Sequence, residues 1–217
     1  LKQLDLIIVT HIDRDHIGGI NKLFCSNNSS KLKEVYFNSA ELIKKSNSNL
    51  ISISDGINLV EHLKKNNIKI NETPQVVGSK YIDTDFLIEF LSPTIDSLVH
   101  LEKNWSKIEE EQKSTLISSS KTIDNRNLNE IANDKFNEVK YENDIANWSS
   151  LAFEVKYRDI IILCLGDAKD SVIVDTLKKK GYSSTKKYKV DYIKLSHHGS
   201  KYNTSKVFLE MINCNHF

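Results

Sequence analysis

Four side chains able to hold a metal ion, His11, Asp13, Asp15 and His16, fall within six residues in Thr10-His11-Ile12-Asp13-Arg14-Asp15-His16-Ile17-Gly18-Gly19. Imidazole nitrogen and carboxylate oxygen in one set suit zinc, manganese or iron better than calcium or magnesium, which favour all-oxygen surroundings. The apolar run Leu4 to Val9 just before them reads as a buried strand. In an extended segment His11, Asp13 and Asp15 would project to one face, and a turn into a helix near His16 would bring that ring beside them. The competing reading is a polar turn whose histidines only cap the next helix; four donors packed this closely weigh against it.

Two later stretches could complete a site. Ile160 to Leu165 is a continuous apolar run that delivers Gly166-Asp167, and a carboxylate at the end of a buried strand is well placed to bridge two metals. The alternative duty for Asp167, helix capping, can fall to Asp170 ahead of a helix over Val172 to Lys180. Val190 to Leu195 reads as a strand running into Ser196-His197-His198-Gly199-Ser200. Adjacent residues of a regular strand face opposite ways, so one of the two imidazoles reaches the metals. His197 is favoured and His198 is the alternative; the other ring contacts a phosphate or leaving group, or simply packs.

The elements that must hold these residues follow from periodicity. Ile17, Ile20, Leu23 and Phe24 recur at helical spacing and predict a helix over 16–25. Strands are predicted at Glu34 to Asn38, Ile68 to Ile70, Gln75 to Val77, Phe86 to Leu91 and Leu151 to Tyr157, with helices at Ala40 to Ser46, from Ser54 to Asn66 and over Ile95 to Leu116. The polar stretch Ser118 to Asn147 predicts an excursion with one helix near Leu128 to Val139; with the preceding helix it forms an insertion around 96–147, a candidate surface for a protein partner. His62, His100 and His216 have no motif around them and are assigned no role.

The first stretch resembles the second motif of the metallo-β-lactamase superfamily, His-x-His-x-Asp-His, with Asp13 standing where the second histidine usually is. In this form it is similar to the hydrolase domain of ComEC-type DNA-uptake proteins and its stand-alone relatives. Gly166-Asp167 resembles the bridging aspartate of that superfamily, and Leu-Ser-His-His-Gly-Ser, with Ser200, Thr204 and Ser205, resembles the Pro-His-His-Gly-Ser segment of the ComEC-type domains. The resemblance implies a mixed α+β or α/β fold, a four-layer αββα sandwich, over 1–217 as a single domain. Several strands precede the metal motif in that family and a strand and helix follow the last one, so the chain is expected to be a fragment that lacks part of the fold.

The same resemblance implies two divalent ions, Zn or Mn. His11 and Asp13 would hold one, Asp15, His16 and one of the 197/198 pair the other, with Asp167 between them. The third histidine that usually completes the first metal is missing: the corresponding Asn147-Trp148-Ser149-Ser150-Leu151 offers only Asn and Ser. The implied activity is phosphodiester hydrolysis, on DNA or a nucleotide, by hydroxide that Asp15 or Asp167 orients. Lys194 or Lys201 would neutralise charge in the transition state, and His198 and Ser200 would join them in substrate binding. Hydrolysis of a lactone, thioester or lactam is one alternative. A non-catalytic metal-binding component of a bacterial defence or DNA-uptake system is another.

Composition is that of an ordinary globular chain. Of 217 residues, 39% are hydrophobic and 27% charged, with a net charge of +1, so no global field draws it to nucleic acid. Lysine is nonetheless concentrated late: Lys178 to Lys206 holds nine lysines against the single acid Asp191. No apolar run approaches the roughly 20 residues of a membrane span and no signal-peptide pattern opens the chain, so the expected location is the cytoplasm. Cys25, Cys164 and Cys214 lie far apart without a Cys-x-x-Cys pair and read as small buried hydrophobes.

Overall fold

The computed structural model describes residues 3–24, 31–46, 54–115, 126–127, 129–130, 133 and 144–217. Strand β1 (Leu4–Ile8) passes through Val9 to Ile12 into helix α1 (Arg14–Phe24), and β2 (Leu32–Tyr36) returns parallel to β1, with Leu6 opposite Glu34 and Ile8 opposite Tyr36. Helices α2 (Ala40–Ser46) and α3 (Ser54–Lys65) then lead to β3 (Lys69–Ile70), which completes a parallel three-stranded sheet in the order β1-β2-β3. Parallel strands need crossovers of this kind, and the helices supply the cover that the sheet's outer face requires.

The second sheet has five strands. β4 (Lys80–Ile82), β5 (Phe86–Ser92), β6 (Ala152–Tyr157) and β7 (Ile160–Cys164) run antiparallel in that order, and β9 (Tyr192–Lys194) lies parallel to β7. The β6–β7 turn passes through Arg158 at φ 53°. Between β5 and β6 the chain forms α4 (Ile95–Thr115) and, later, the short α5 (Ile145–Trp148). After β7 come α6 (Asp170–Lys179), β8 (Tyr188–Lys189), β9, a tight turn at Ser196–Gly199, α7 (Lys206–Met211) and β10 (Ile212–Asn213), which pairs parallel with β8. The chain is thus a mixed α/β structure with several sheets.

Among the described residues, three apolar clusters hold it. Val9, Val35, Phe37, Leu59, Leu63, Leu98 and Leu101 pack the helices α1 to α5 onto the first sheet. Leu6, Ile8 and Tyr36 meet Ile88, Phe90, Phe153 and Val155 between the two sheets. Leu91, Leu163, Ile173, Leu177, Ile193, Phe208 and Met211 pack α6 and α7 onto the second. Phe37, Phe90, Phe208, Leu163 and Ile173 are among the largest fully buried side chains, and each fully buried residue of this size contributes about 1.5–3 kcal/mol relative to exposure.

Several expectations are corrected here. Gln75 to Val77 is not a strand: the Gln75 N–H donates to Asn38 Oδ1 at 2.8 Å and its carbonyl accepts from Asn38 Nδ2 at 2.7 Å, so side-chain bonds replace a ladder and the strand forms at β4 instead. The run Val190 to Leu195 is broken, because Asp191 Oδ2 takes the Ile161 N–H at 2.8 Å and Val190 N–H goes to Asn213 O at 3.1 Å. Asp170 does not cap its own helix; it is the first helical residue, and its carboxylate accepts the Ser205 N–H at 3.0 Å. Cys164 and Cys214 are free and only half-buried; Cys25 and most of the 118–147 excursion fall outside the described residues, and of the helix expected near Leu128 to Val139 only Asn129 and Glu130, both helical, and Asn133 are described. Gly181 ends α6, at φ 85°, with its N–H on Lys178 O and that of Tyr182 on Leu177 O.

Candidate metal centre

The segment that leaves β1 does not stay extended. Helix α1 starts at Arg14, with the Asp13 carbonyl accepting from both His16 N–H and Ile17 N–H at 2.9 Å. His11, Asp13 and Asp15 therefore do not share a strand face, which corrects the extended-segment expectation. Instead His11 and His16 come together, their ring centroids 4.2 Å apart. One hydroxyl holds both: Thr10 Oγ1 lies 3.1 Å from His11 Nδ1 and 3.0 Å from His16 Nδ1. With both Nδ1 atoms so engaged, both Nε2 atoms point inward.

Asp167 arrives from the end of β7. Gly166 stands at φ 52°, and a Cβ there would meet Ser150 Oγ, Leu151 O at 2.8 Å and Thr10 Cβ at 3.2 Å; only glycine lets this strand end approach β1 and the 150–151 segment so closely. Ser150 Oγ accepts the Asp167 N–H at 2.9 Å and lies 3.3 Å from His11 Nδ1. The position where a third histidine was sought thus carries a hydroxyl that ties Asp167 to His11.

The geometry brings His11, His16 and Asp167 together, with donor atoms all within 4.8 Å of one another, and likewise Asp15, His16 and His198. His16 Nε2 is 3.3 Å from Asp167 Oδ1 and 3.6 Å from Asp15 Oδ2. Asp13 Oδ2 is 3.4 Å from His11 Nε2, and His197 Nε2 is 3.9 Å from Asp167 Oδ2. His11 Nε2, His16 Nε2 and Asp167 Oδ1 are buried without a hydrogen-bond partner. Leaving one such group unsatisfied costs about 1–3 kcal/mol, and three converging lone-pair donors are what a cation would satisfy; the residues fit a divalent metal ion.

The electrostatics agree with that use. Burial pushes the Asp167 carboxyl up, but the adjacent His16 ring, with His11 and His197 behind it, outweighs burial and holds it below its ordinary value. Asp167 in turn raises His16 against the opposing effect of burial. Each partner favours the charged form of the other when no cation intervenes.

The strand argument for choosing between His197 and His198 is also corrected. Both stand in the left-handed region, at φ 45° and 54°, followed by Gly199 at 79°. Non-glycine residues there cost of order 1–3 kcal/mol each. The tight turn sends both rings toward the cluster: His197 faces Asp167, and His198 Nε2 lies 3.2 Å from Asp15 Oδ2.

Of the remaining expected residues, Lys194 is near enough for its charge to act on His16. Lys201 lies with its ammonium 5.6 Å from the Tyr202 ring centroid and lines a surface groove with Asp170, Asp175 and Lys178. Ser200 Oγ accepts the Tyr202 N–H at 3.3 Å, while Ser205 caps α7 by accepting the Phe208 N–H. Sequence reasoning missed the residues behind the donors. Thr10 and Asn203 lie within or just beyond the motifs, where a polar residue is a detectable signal. Asp144, whose Oδ2 accepts from Asn147 Nδ2 at 2.7 Å and whose carboxyl is pushed up by burial, lies at the edge of the polar excursion, where nothing in the sequence distinguished it.

No protein-family model matches the chain, and no curated protein matches it. Among solved structures, a mutant of CmlA beta-hydroxylase is similar with a TM-score of 0.42 and 10% sequence identity; the similarity covers 90% of this chain and 26% of that one. This chain therefore spans about a quarter of that protein's length, and a likeness at this level carries no argument about fold or chemistry. Among the described residues, no helix is long and apolar enough to cross a membrane.

Proposed function

We propose that the chain is a metallo-β-lactamase-like hydrolase domain of the ComEC-type group, with the four-layer αββα arrangement, and that it cleaves phosphodiesters of DNA or a nucleotide. The observation that carries this reading is the convergence of His11 Nε2, His16 Nε2 and Asp167 Oδ1, buried and without hydrogen-bond partners. The contact of two sheets through Leu6, Ile8, Ile88 and Phe153, with helices packed outside each, supports the fold assignment.

His11, His16 and Asp167 would hold one divalent ion, zinc or manganese, with Asp13 beside His11. Asp15 and His198 offer a second position adjoining it, with His197 close to Asp167. Such ions supply hydroxide at neutral pH by lowering the pKa of water, and they stabilise charge on phosphoryl oxygens. Asp167, held ionised by its imidazole neighbours, orients the attacking water and accepts a hydrogen bond from it. Asp15, on the first turn of α1 and more exposed, is placed to shuttle a proton to solvent. Lys194 offsets negative charge that develops on the substrate, and His198 and Ser200 donate from the tight turn to its oxygens.

Turnover of bis-p-nitrophenyl phosphate and of single-stranded DNA with Mn²⁺ or Zn²⁺ tests the assignment. The wild type is expected to cleave one or both, and Asp15→Ala and Asp167→Ala to lose most of that activity. A folded protein that binds metal yet opens only a lactone or thioester would overturn the phosphodiester assignment. One that binds no divalent ion would overturn the metal centre itself.

A further inference from the structure

We propose that Asn203 is a positioning residue. It fixes His197 in the tautomer with its proton on Nδ1, which leaves Nε2 bare toward Asp167 and makes it a metal donor. The donor half of this statement rests on the metal-centre reading; the tautomer half concerns the ring alone.

Asn203 is 5% exposed, so its amide must be satisfied by protein. Its Nδ2 donates to Asp167 O at 3.1 Å and lies 3.4 Å from Ala168 O. Carbonyls only accept, so the NH₂ group is pinned on that side and Oδ1 faces His197 Nδ1 at 3.2 Å. An acceptor at that distance calls for a proton on Nδ1. The His197 N–H donates to Gly166 O at 3.0 Å, so the ring that Asn203 orients is anchored to the same strand end that carries Asp167. Its Nε2, 3.9 Å from Asp167 Oδ2, is beyond hydrogen-bond reach and faces the cluster.

A second asparagine makes the opposite demand. Asn147 Nδ2 is 3.2 Å from the same Nδ1, and as a donor it would require that nitrogen to be bare. Among the described residues, the Asn147 amide is otherwise held through Asp144 Oδ2, at the residue just before the short helix α5, and its own Oδ1 is buried without a hydrogen-bond partner. Asn203 is held by two backbone carbonyls next to the metal-site carboxylate. Asn203, the amide with partners at both its oxygen and its nitrogen, decides the tautomer, and its contact holds His197, the ring the sequence favoured over His198, as a donor.

Histidine ¹⁵N NMR of the metal-free protein at about pH 8.5, two units above the ordinary imidazole value of about 6.5, reads the tautomer directly. The wild type is expected to show His197 as Nδ1–H. Asn203→Leu should move it toward Nε2–H, Asn203→Asp, which keeps an acceptor, should retain Nδ1–H, and Asn147→Leu should leave it unchanged. Zn²⁺ titration of the same proteins should show affinity falling about 10- to 100-fold for Asn203→Leu, with partial recovery in Asn203→Asp. A wild-type His197 found as Nε2–H overturns the proposal even if the leucine variant does not fold, as do leucine and aspartate variants that behave alike. The expected tautomers in a protein that takes up no Zn²⁺ would overturn the donor half and the metal centre together, while leaving the orienting contact in place.

Discussion

His16 Nε2 lies 3.3 Å from Asp167 Oδ1, and both atoms are buried without a hydrogen-bond partner. Two polar atoms so placed are stable together only through charge or through a shared cation. Adding Zn²⁺ or Mn²⁺ should therefore raise the unfolding temperature, with a stabilisation of about 2.7 kcal/mol at a hundredfold excess over Kd, and a chelator should reverse it. Asp167→Asn keeps the shape and removes the charge. It should abolish the metal-dependent shift in a thermal melt; an unchanged shift would place the metal elsewhere.

Thr10 Oγ1 is within 3.1 Å of two imidazole Nδ1 atoms. Thr10→Val is nearly isosteric and removes the one oxygen that orients both rings. Metal affinity measured by calorimetry should fall about 10- to 100-fold, the usual effect of losing an outer hydrogen bond to a ligand, while circular dichroism stays native.

Gly166→Ala places a methyl group against Ser150 Oγ and Leu151 O in a left-handed conformation. Conformational cost and overpacking together should reach roughly 2–5 kcal/mol. Gly78→Ala, at φ 88° with nothing within 4 Å, suffers only the conformational cost, about 1–2 kcal/mol. Denaturant melts of the two variants should show the larger loss for Gly166→Ala; equal losses would mean that the contacts with Ser150 and Leu151 add nothing.

Lys180 links Glu89 at 2.9 Å and the fully buried Glu154 at 3.2 Å, and the Tyr188 hydroxyl also donates to Glu154. Burial pushes Glu89 up, yet Lys180 outweighs it and holds the carboxyl below its ordinary 4.5. A depressed carboxyl stabilises the fold fully above that ordinary value and ceases to as pH falls through the lower, folded value. Burial lowers Lys180, but Glu89 and Glu154 raise it above its ordinary 10.5, so its own contribution is complete below 10.5 and disappears as pH rises through the folded value. Lys180→Met leaves Lys156 at 3.0 Å from Glu154, so it should cost about 1–3 kcal/mol at neutral pH and flatten the loss of stability below pH 4.5 in urea melts across that range.

The sequence made much of the site legible because its donors sit in short motifs at strand ends, where local pattern and chemistry coincide. His11, His16 and Asp167 were all identified as candidates, and the structure brings their donor atoms within 4.8 Å of one another. The extended reading of 11–15 did not survive, since an Asp13 carbonyl that starts a helix outweighs the preceding strand's tendency to continue. The strand expected over Gln75 to Val77 was lost to the Asn38 side chain, which is distant in sequence and gives no local sign.

Donor types, their order along the chain and the apolar runs that end in them are properties of local sequence, and they were enough to mark a candidate metal site. That Thr10 serves two rings, that Ser150 joins His11 to Asp167, and that a left-handed turn sets His197 against Asp167 and the exposed His198 against Asp15 depended on the folded chain. Hydrogen bonds between residues far apart in sequence, and backbone angles imposed by packing, leave no periodicity to read.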